Sequence, residues 1–221
     1  VRRESGDDDI EDEGILTVIQ GDIAVPINRN ADPCVQTGCK WPKSSDGKVY
    51  IPYVISNSYS KNVITTAINS FSASTCIRFF PRTTQTDYVN IQSLDGFGKC
   101  TDGVSESEGC IYFGTVQHEL IHALGFNHEQ CRSDRDQHIK ILLQNVIPGE
   151  EYNFNKINTL NLGTPYDYNS VIVWYFDQLC LLYTITTPPW WLFPTANTVF
   201  GTATQMSQND IDRINLLYCS K

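Results

Sequence analysis

Three of the four histidines in this chain fall in one short run, His118-Glu119-Leu120-Ile121-His122-Ala123-Leu124-Gly125-Phe126-Asn127-His128. No other feature constrains the fold as strongly. Residues four apart on a helix share a face one turn apart, so His118 and His122 can aim ring nitrogens at a single ion. Glu119 is turned about 100° from His118, close to that ion without having to bind it. Gly125 can adopt the left-handed conformation that ends a helix, and a reversal there returns His128 as a third ligand. The run therefore predicts a helix near Val116–Leu124 with a metal site beside its last turns.

Three neutral imidazoles can hold one Zn2+ and leave a position open for water. Glu119 is then the candidate general base, taking a proton from water and returning it to the leaving amine of a cleaved peptide. Incidental surface histidines would give no reason for a glutamate and a glycine in register with them.

The remaining composition sets the context. With 41% hydrophobic and 19% charged residues the chain reads as globular, and its length suits a single enzyme domain. No apolar run reaches the roughly 20 residues of a membrane span. A formal charge of −9 argues against a nucleic-acid partner. The eight cysteines lack the C-x-x-C spacing of a structural zinc site, so disulfides and an oxidising compartment are expected. A signal peptide is expected with them, although no apolar segment opens the sequence at Val1. Acid is concentrated in the first residues, where Glu4, Asp7, Asp8, Asp9, Glu11, Asp12, Glu13 and Asp22 face only Arg2, Arg3 and Arg29. That leader predicts a separate, poorly packed segment.

Further along, Ile15–Ile19 and the stretch from Gly21-Asp22 to Arg29-Asn30 read as extended chain. Lys48–Ile55 predicts a strand, placed near a sheet edge by Pro52. Apolar residues at Val63, Ile64, Ala67, Ile68 and Phe71 predict a helix. Strands are expected at Cys76–Phe80, Tyr88–Ser93 and Cys110–Phe113, and a last helix near Asp210–Tyr218. Strands and a helix followed by irregular chain predict an α+β fold with a cleft between two halves.

Phe126, His128 and Glu129 extend the histidine run into a pattern that resembles the astacin family of metzincin zinc metallopeptidases. The likeness continues through Cys39-Lys40-Trp41-Pro42-Lys43, Cys76-Ile77-Arg78-Phe79, Arg132-Ser133-Asp134-Arg135-Asp136, Tyr152-Asn153-Phe154-Asn155-Lys156, Pro165-Tyr166-Asp167-Tyr168 and Met206-Ser207, and is similar to the fish hatching-enzyme branch. The resemblance implies a two-subdomain zinc endopeptidase with a twisted N-terminal β-sheet. Its active-site helix would lie above the cleft (30–125) and an irregular subdomain below it (126–221).

The resemblance further implies a propeptide over residues 1–29, in which Asp22 of Gly21-Asp22 ligates zinc in the latent state. A trypsin-like protease would cut at Arg29-Asn30, and the new amino terminus would lie near Glu129. The implied disulfides are Cys34–Cys39, Cys76–Cys219 and Cys100–Cys110, leaving Cys131–Cys180. Secretion, by way of secretory granules, and a protein substrate such as egg-envelope glycoprotein complete the expectation.

One stretch departs from the family pattern. Ile172 stands where the family's methionine turn has methionine, and Trp174 stands where a tyrosine reaches the metal; Tyr175, one residue later, is the candidate phenol if the turn shifts. From Ile172 to about Val199 little of the pattern is left. Divergence toward a different cleft, a catalytically weakened zinc-containing binding protein, and an error in the reported sequence are the three readings this allows. Trp174, Trp190 and Trp191 motivate the binding reading, since exposed aromatics make good contact surfaces.

Overall fold

The computed structural model describes residues 40–55, 61–91, 112–173 and 201–220, with strand backbones at Arg2–Glu4, Leu16–Ile19, Ile23–Pro26 and Ile185–Thr186. The first half is organised by a sheet. In chain order its elements are β1 (Arg2–Glu4), β2 (Leu16–Ile19), β3 (Ile23–Pro26), β4 (Val49–Ile55), α1 (Lys61–Ser74), β5 (Ile77–Pro81) and β6 (Tyr88–Ile91). The main sheet runs β1-β6-β4-β5, with β4 parallel to both β5 and β6, and β1 antiparallel to β6. The acidic leader, expected to stand apart, thus adds its first residues to the outer side of β6, whose unpaired N–H and C=O groups seek a partner. β2 and β3 pair antiparallel with each other.

β4 corrects the expectation of an edge strand, because it lies inside the sheet. The reason is local. Pro52 pairs with Phe80 of β5, and β6 joins only from Tyr53 onward, so the missing N–H of Pro52 falls where the β6 side has no ladder.

Helix α1 buries Ile64, Ala67, Ile68 and Phe71, a stripe at helical spacing, against the sheet and against α2 (Phe113–Ala123). Full burial of a side chain such as Ile64 or Phe71 contributes about 1.5–3 kcal/mol. α2 begins at Phe113, so that residue is helical rather than part of the strand expected at Cys110–Phe113. Its first turn can lie against the Ala203–Thr204 backbone only because residue 114 is glycine: a Cβ there would come within 2.8 Å of Thr204 backbone atoms. At its other end, orphan carbonyls are satisfied by side chains from distant segments. The Trp41 indole N–H donates to Ala123 O at 3.0 Å, and the Tyr218 hydroxyl donates to Leu124 O at 2.7 Å.

After α2 the chain is a succession of short 3-10 turns with its own small core of Ile139, Val146, Phe154, Tyr166 and Val173. β7 (Lys140–Ile141) pairs antiparallel with β8 (Ile185–Thr186). The last helix, α3 (Gln208–Ile214), continues as a π-helical turn to Cys219. A disulfide with a Cα–Cα distance of 5.5 Å joins Cys219 to Cys76 at the start of β5. A mixed sheet with α1 packed on β5 and α2 packed on α1, followed by irregular chain, is the α+β arrangement that the element pattern predicts.

Candidate active site

Helix α2 carries His118 and His122 one turn apart, and then ends in a Schellman motif. Leu124 is its C-cap, Gly125 takes φ +92°, the Gly125 amide donates to His122 O (2.8 Å), and the Phe126 amide donates to Ile121 O (3.3 Å). The left-handed residue turns the chain back on itself and brings His128, fully buried, beside the other two rings.

The three Nε2 atoms are 3.0 Å (His118–His122), 3.2 Å (His122–His128) and 3.3 Å (His118–His128) apart. The outer ring nitrogens are engaged elsewhere: His118 Nδ1 lies 2.7 Å from Val171 O and His122 Nδ1 lies 2.7 Å from Phe126 O. A carbonyl only accepts, so both Nδ1 atoms carry the proton and both Nε2 atoms present a lone pair inward. Lone pairs this close repel one another unless a cation lies among them. Ligands about 2.0–2.1 Å from zinc in tetrahedral array stand about 3.3–3.4 Å from each other. The cluster therefore fits a zinc ion, with backbone carbonyls fixing the orientation of two of its ligands.

Glu119, next along α2, is half-buried beside the cluster but is not one of the converging donors. On the opposite side, Ser170-Val171-Ile172-Val173 forms a buried turn under the histidines, and Ile172, 2% exposed, packs in the same core as Leu120 and Ile121. An isoleucine thus fills the apolar volume of this turn. Its backbone serves both arms of the site, since Val171 O holds His118 and Ile172 O accepts from the Glu129 amide at 3.1 Å.

Behind His128 lies a buried ion cluster that sequence reading had not found. The Glu129 carboxylate, 1% exposed, accepts from Arg213 through both oxygens (2.6 and 2.7 Å), from Arg132 (3.1 Å) and from the Asp167 amide (2.7 Å). Arg132 also forks onto both oxygens of Asp134 at 3.0 and 2.8 Å. Nothing in the local sequence links residue 129 to residue 213. By contrast Ser207 and Asp210, which form a capping box at the start of α3, carry a legible Ser-x-x-Asp signature. Gln117, also missed, spans from Ser70 Oγ (2.8 Å) to the Met206 amide (2.7 Å) and ties α2 to α1 and to the segment that leads into α3.

Burial pushes the Asp134 carboxyl up, but the Arg132 guanidinium outweighs it, and the net shift is downward. A carboxyl lowered on folding contributes stability that is present above its unfolded value of about 3.9 and is lost as pH falls through the lower folded one. Asp134→Asn is therefore expected to melt about 2–4 °C below the wild type near pH 6, for a loss of about 1 kcal/mol. That gap should close on acidification below about pH 4, as a series of thermal melts would show.

Of the other expected site residues, Asp22, Arg29, Asn30 and Tyr175 lie outside the described residues, as do Trp174 and the cysteines Cys34, Cys39, Cys100, Cys110 and Cys180. Cys131 is buried with its Sγ 3.3 Å from Asn153 O.

A helix bearing two histidines and a glutamate, a third histidine returned by a glycine turn, and a buried turn beneath them define a zinc-dependent peptidase. Comparison narrows the class. The sequence model of the Astacin peptidase family matches residues 36–219. High choriolytic enzyme 1 of Oryzias latipes is 43% identical over 213 residues, covering 91% of this chain and 77% of that protein. Low choriolytic enzyme of the same fish is 39% identical over 213 residues, covering 91% and 78%. The solved structure of High choriolytic enzyme 1, a hatching enzyme zinc-protease from medaka, superposes with TM-score 0.70 at 42% identity, over 84% of this chain and 96% of that one. The chain belongs to the astacin family and is a zinc metalloendopeptidase related to hatching enzymes.

Proposed function

We propose that this peptidase is secreted as a latent proenzyme and, once its leader is removed, cleaves egg-envelope glycoproteins. The observation that carries the substrate reading is the 43% identity to a choriolytic enzyme across 91% of the chain. Residues 1–29 act as the propeptide, and residues 30–221 act as the peptidase domain, divided at 125/126 into upper and lower subdomains. The cysteine content supports an extracellular setting, and among the described residues no helix is long and apolar enough to cross a membrane.

His118, His122 and His128 would hold the zinc, which when bound would supply Lewis acidity toward the scissile carbonyl and a lowered pKa for water. Glu119 takes the proton from the attacking water and delivers it to the leaving amine. The Val171 and Phe126 carbonyls keep His118 and His122 in the required tautomer and rotation. In the latent chain the Asp22 carboxylate would serve as an additional, anionic ligand to the metal and so keep water from it. Cleavage by a trypsin-like protease at Arg29-Asn30 releases it, and the new terminus docks toward the Glu129 cluster.

The test compares the untrimmed chain, a chain trimmed to start at Asn30, and untrimmed Asp22→Ala on casein and on isolated fish egg envelopes. The trimmed and Asp22→Ala chains should cleave casein at least about tenfold faster than the untrimmed one, as expected when an open metal position is restored. Equal rates would refute latency. Casein cleavage with intact envelopes would refute the substrate reading.

A further inference from the structure

We infer that Ser170 and Asp210 are positioning residues for His118, acting through a hydrogen-bond relay that runs from this ligand to a buried carboxylate. The relay rests on the zinc site itself and not on the latency or substrate readings. His118 Nδ1–H donates to Val171 O at 2.7 Å. The other end of that same peptide unit, the Ile172 amide, donates to Ser170 Oγ at 3.1 Å. The Ser170 hydroxyl in turn donates to Asp210 Oδ1 at 2.5 Å.

Each link polarises the next in one direction. The carboxylate draws the hydroxyl proton and makes Ser170 Oγ a better acceptor. That oxygen pulls on the Ile172 N–H and shifts density in the peptide toward Val171 O. A more negative Val171 O holds the His118 Nδ1 proton more tightly, which raises the electron density that Nε2 offers the metal. Ser170 is 1% exposed and Asp210 2%, so water does not compete along the path.

Asp210 is itself held rigidly. Its Oδ2 accepts from the Val171 and Ser207 amides, both at 2.9 Å, and its backbone N–H donates to the Ser207 hydroxyl in the capping box of α3. A carboxylate behind a metal-bound histidine usually touches the ring directly. Here it acts through a hydroxyl and a peptide, and thereby governs the turn under the zinc through its backbone rather than through the side chain at 172. His122 is oriented differently, by Phe126 O in the turn that ends its own helix, and lies off the relay.

The alternative is that Ser170 and Asp210 merely staple the turn to α3, which would affect stability but not the ligand. Ser170→Ala in the full zinc-loaded chain separates the two. Zinc affinity is read by competition with a chromophoric chelator, and the Nδ1–H resonances of His118 and His122 are read by NMR. The relay predicts a zinc Kd raised about tenfold, the lower end of the range for groups that orient metal ligands. It also predicts an upfield shift of the His118 Nδ1–H with the His122 resonance in place. Ser170→Thr, which keeps the hydroxyl, should restore both.

A Kd within twofold of the wild type overturns the inference. So does an unmoved His118 resonance, or His118 and His122 shifting together. If Ser170→Ala does not fold, Ser170→Cys keeps the shape with a weaker hydrogen-bonding group; a smaller shift of His118 alone is then expected, and no shift overturns the relay. None of these readouts depends on turnover, so failure of the latency or substrate proposals leaves the test intact.

Discussion

Glu119→Gln is expected to lower kcat/KM on casein by about 100- to 10,000-fold while leaving zinc content unchanged, the range that a general acid–base group contributes. The substitution is isosteric and keeps the place of the side chain on α2 beside His118. An amide, however, cannot accept and return a proton at neutral pH. The histidine cluster does not include Glu119, so the metal should stay bound. Activity assays and metal analysis on one preparation decide the point. Full zinc with activity above about a tenth of the wild type would remove Glu119 from the base role; loss of zinc would make it a structural group instead.

The largest expected stability effect is elsewhere, at Arg213. Arg213→Met leaves Glu129, whose side chain is 1% exposed, without its bidentate partner and without the neighbour that bonds Thr164 Oγ1 and Pro165 O. Breaking a buried pair from one side costs about 3–5 kcal/mol, because the remaining charge keeps its desolvation penalty. Arg132 and the Asp167 amide stay in place, so the lower end is expected. Urea unfolding should show it as a lower midpoint at constant slope, and adding Glu129→Gln should recover part of the loss. A loss below about 1 kcal/mol would show that Arg132 alone satisfies the carboxylate. Because Glu129 adjoins His128, the same variant should also bind zinc more weakly.

The two effects bear on different parts of the same device. Helix α2 supplies two of the converging histidines and carries Glu119, and the chain beyond Gly125 supplies the third histidine. The residue that follows that histidine, Glu129, is anchored by ion pairs with Arg132 and Arg213. The turn at Ser170–Ile172 closes the site from below and is tied to α3 by Asp210. An apolar core alone would not orient three imidazoles this closely, since dispersion contacts are non-directional. Hydrogen bonds provide the orientation, and for His118 and His122 they come from backbone carbonyls.

Much of this was written into local pattern. Helix α2, the Gly125 reversal and the convergence of three histidines depend on residues within one short segment, where spacing of four and a left-handed glycine leave few alternatives. The apolar stripe of α1 and the strands near Val49, Ile77 and Tyr88 were legible for the same reason. What local pattern misjudged was the place of β4, which Pro52 suggested was an edge and which pairing makes internal. Sheet order is a choice among distant partners, and a single missing N–H is tolerated where one side of the strand is unpaired. The partners of Glu129 and the clamp from Asp210 onto the Ser170 turn join residues up to 84 positions apart. Charge pairing at that range depends on burial and approach angle, which only the folded chain sets. The metal chemistry, and the Phe126 carbonyl that orients His122, were therefore readable from eleven consecutive residues, His118 to His128, whereas the groups that orient His118 and surround Glu129 come together only when distant segments pack.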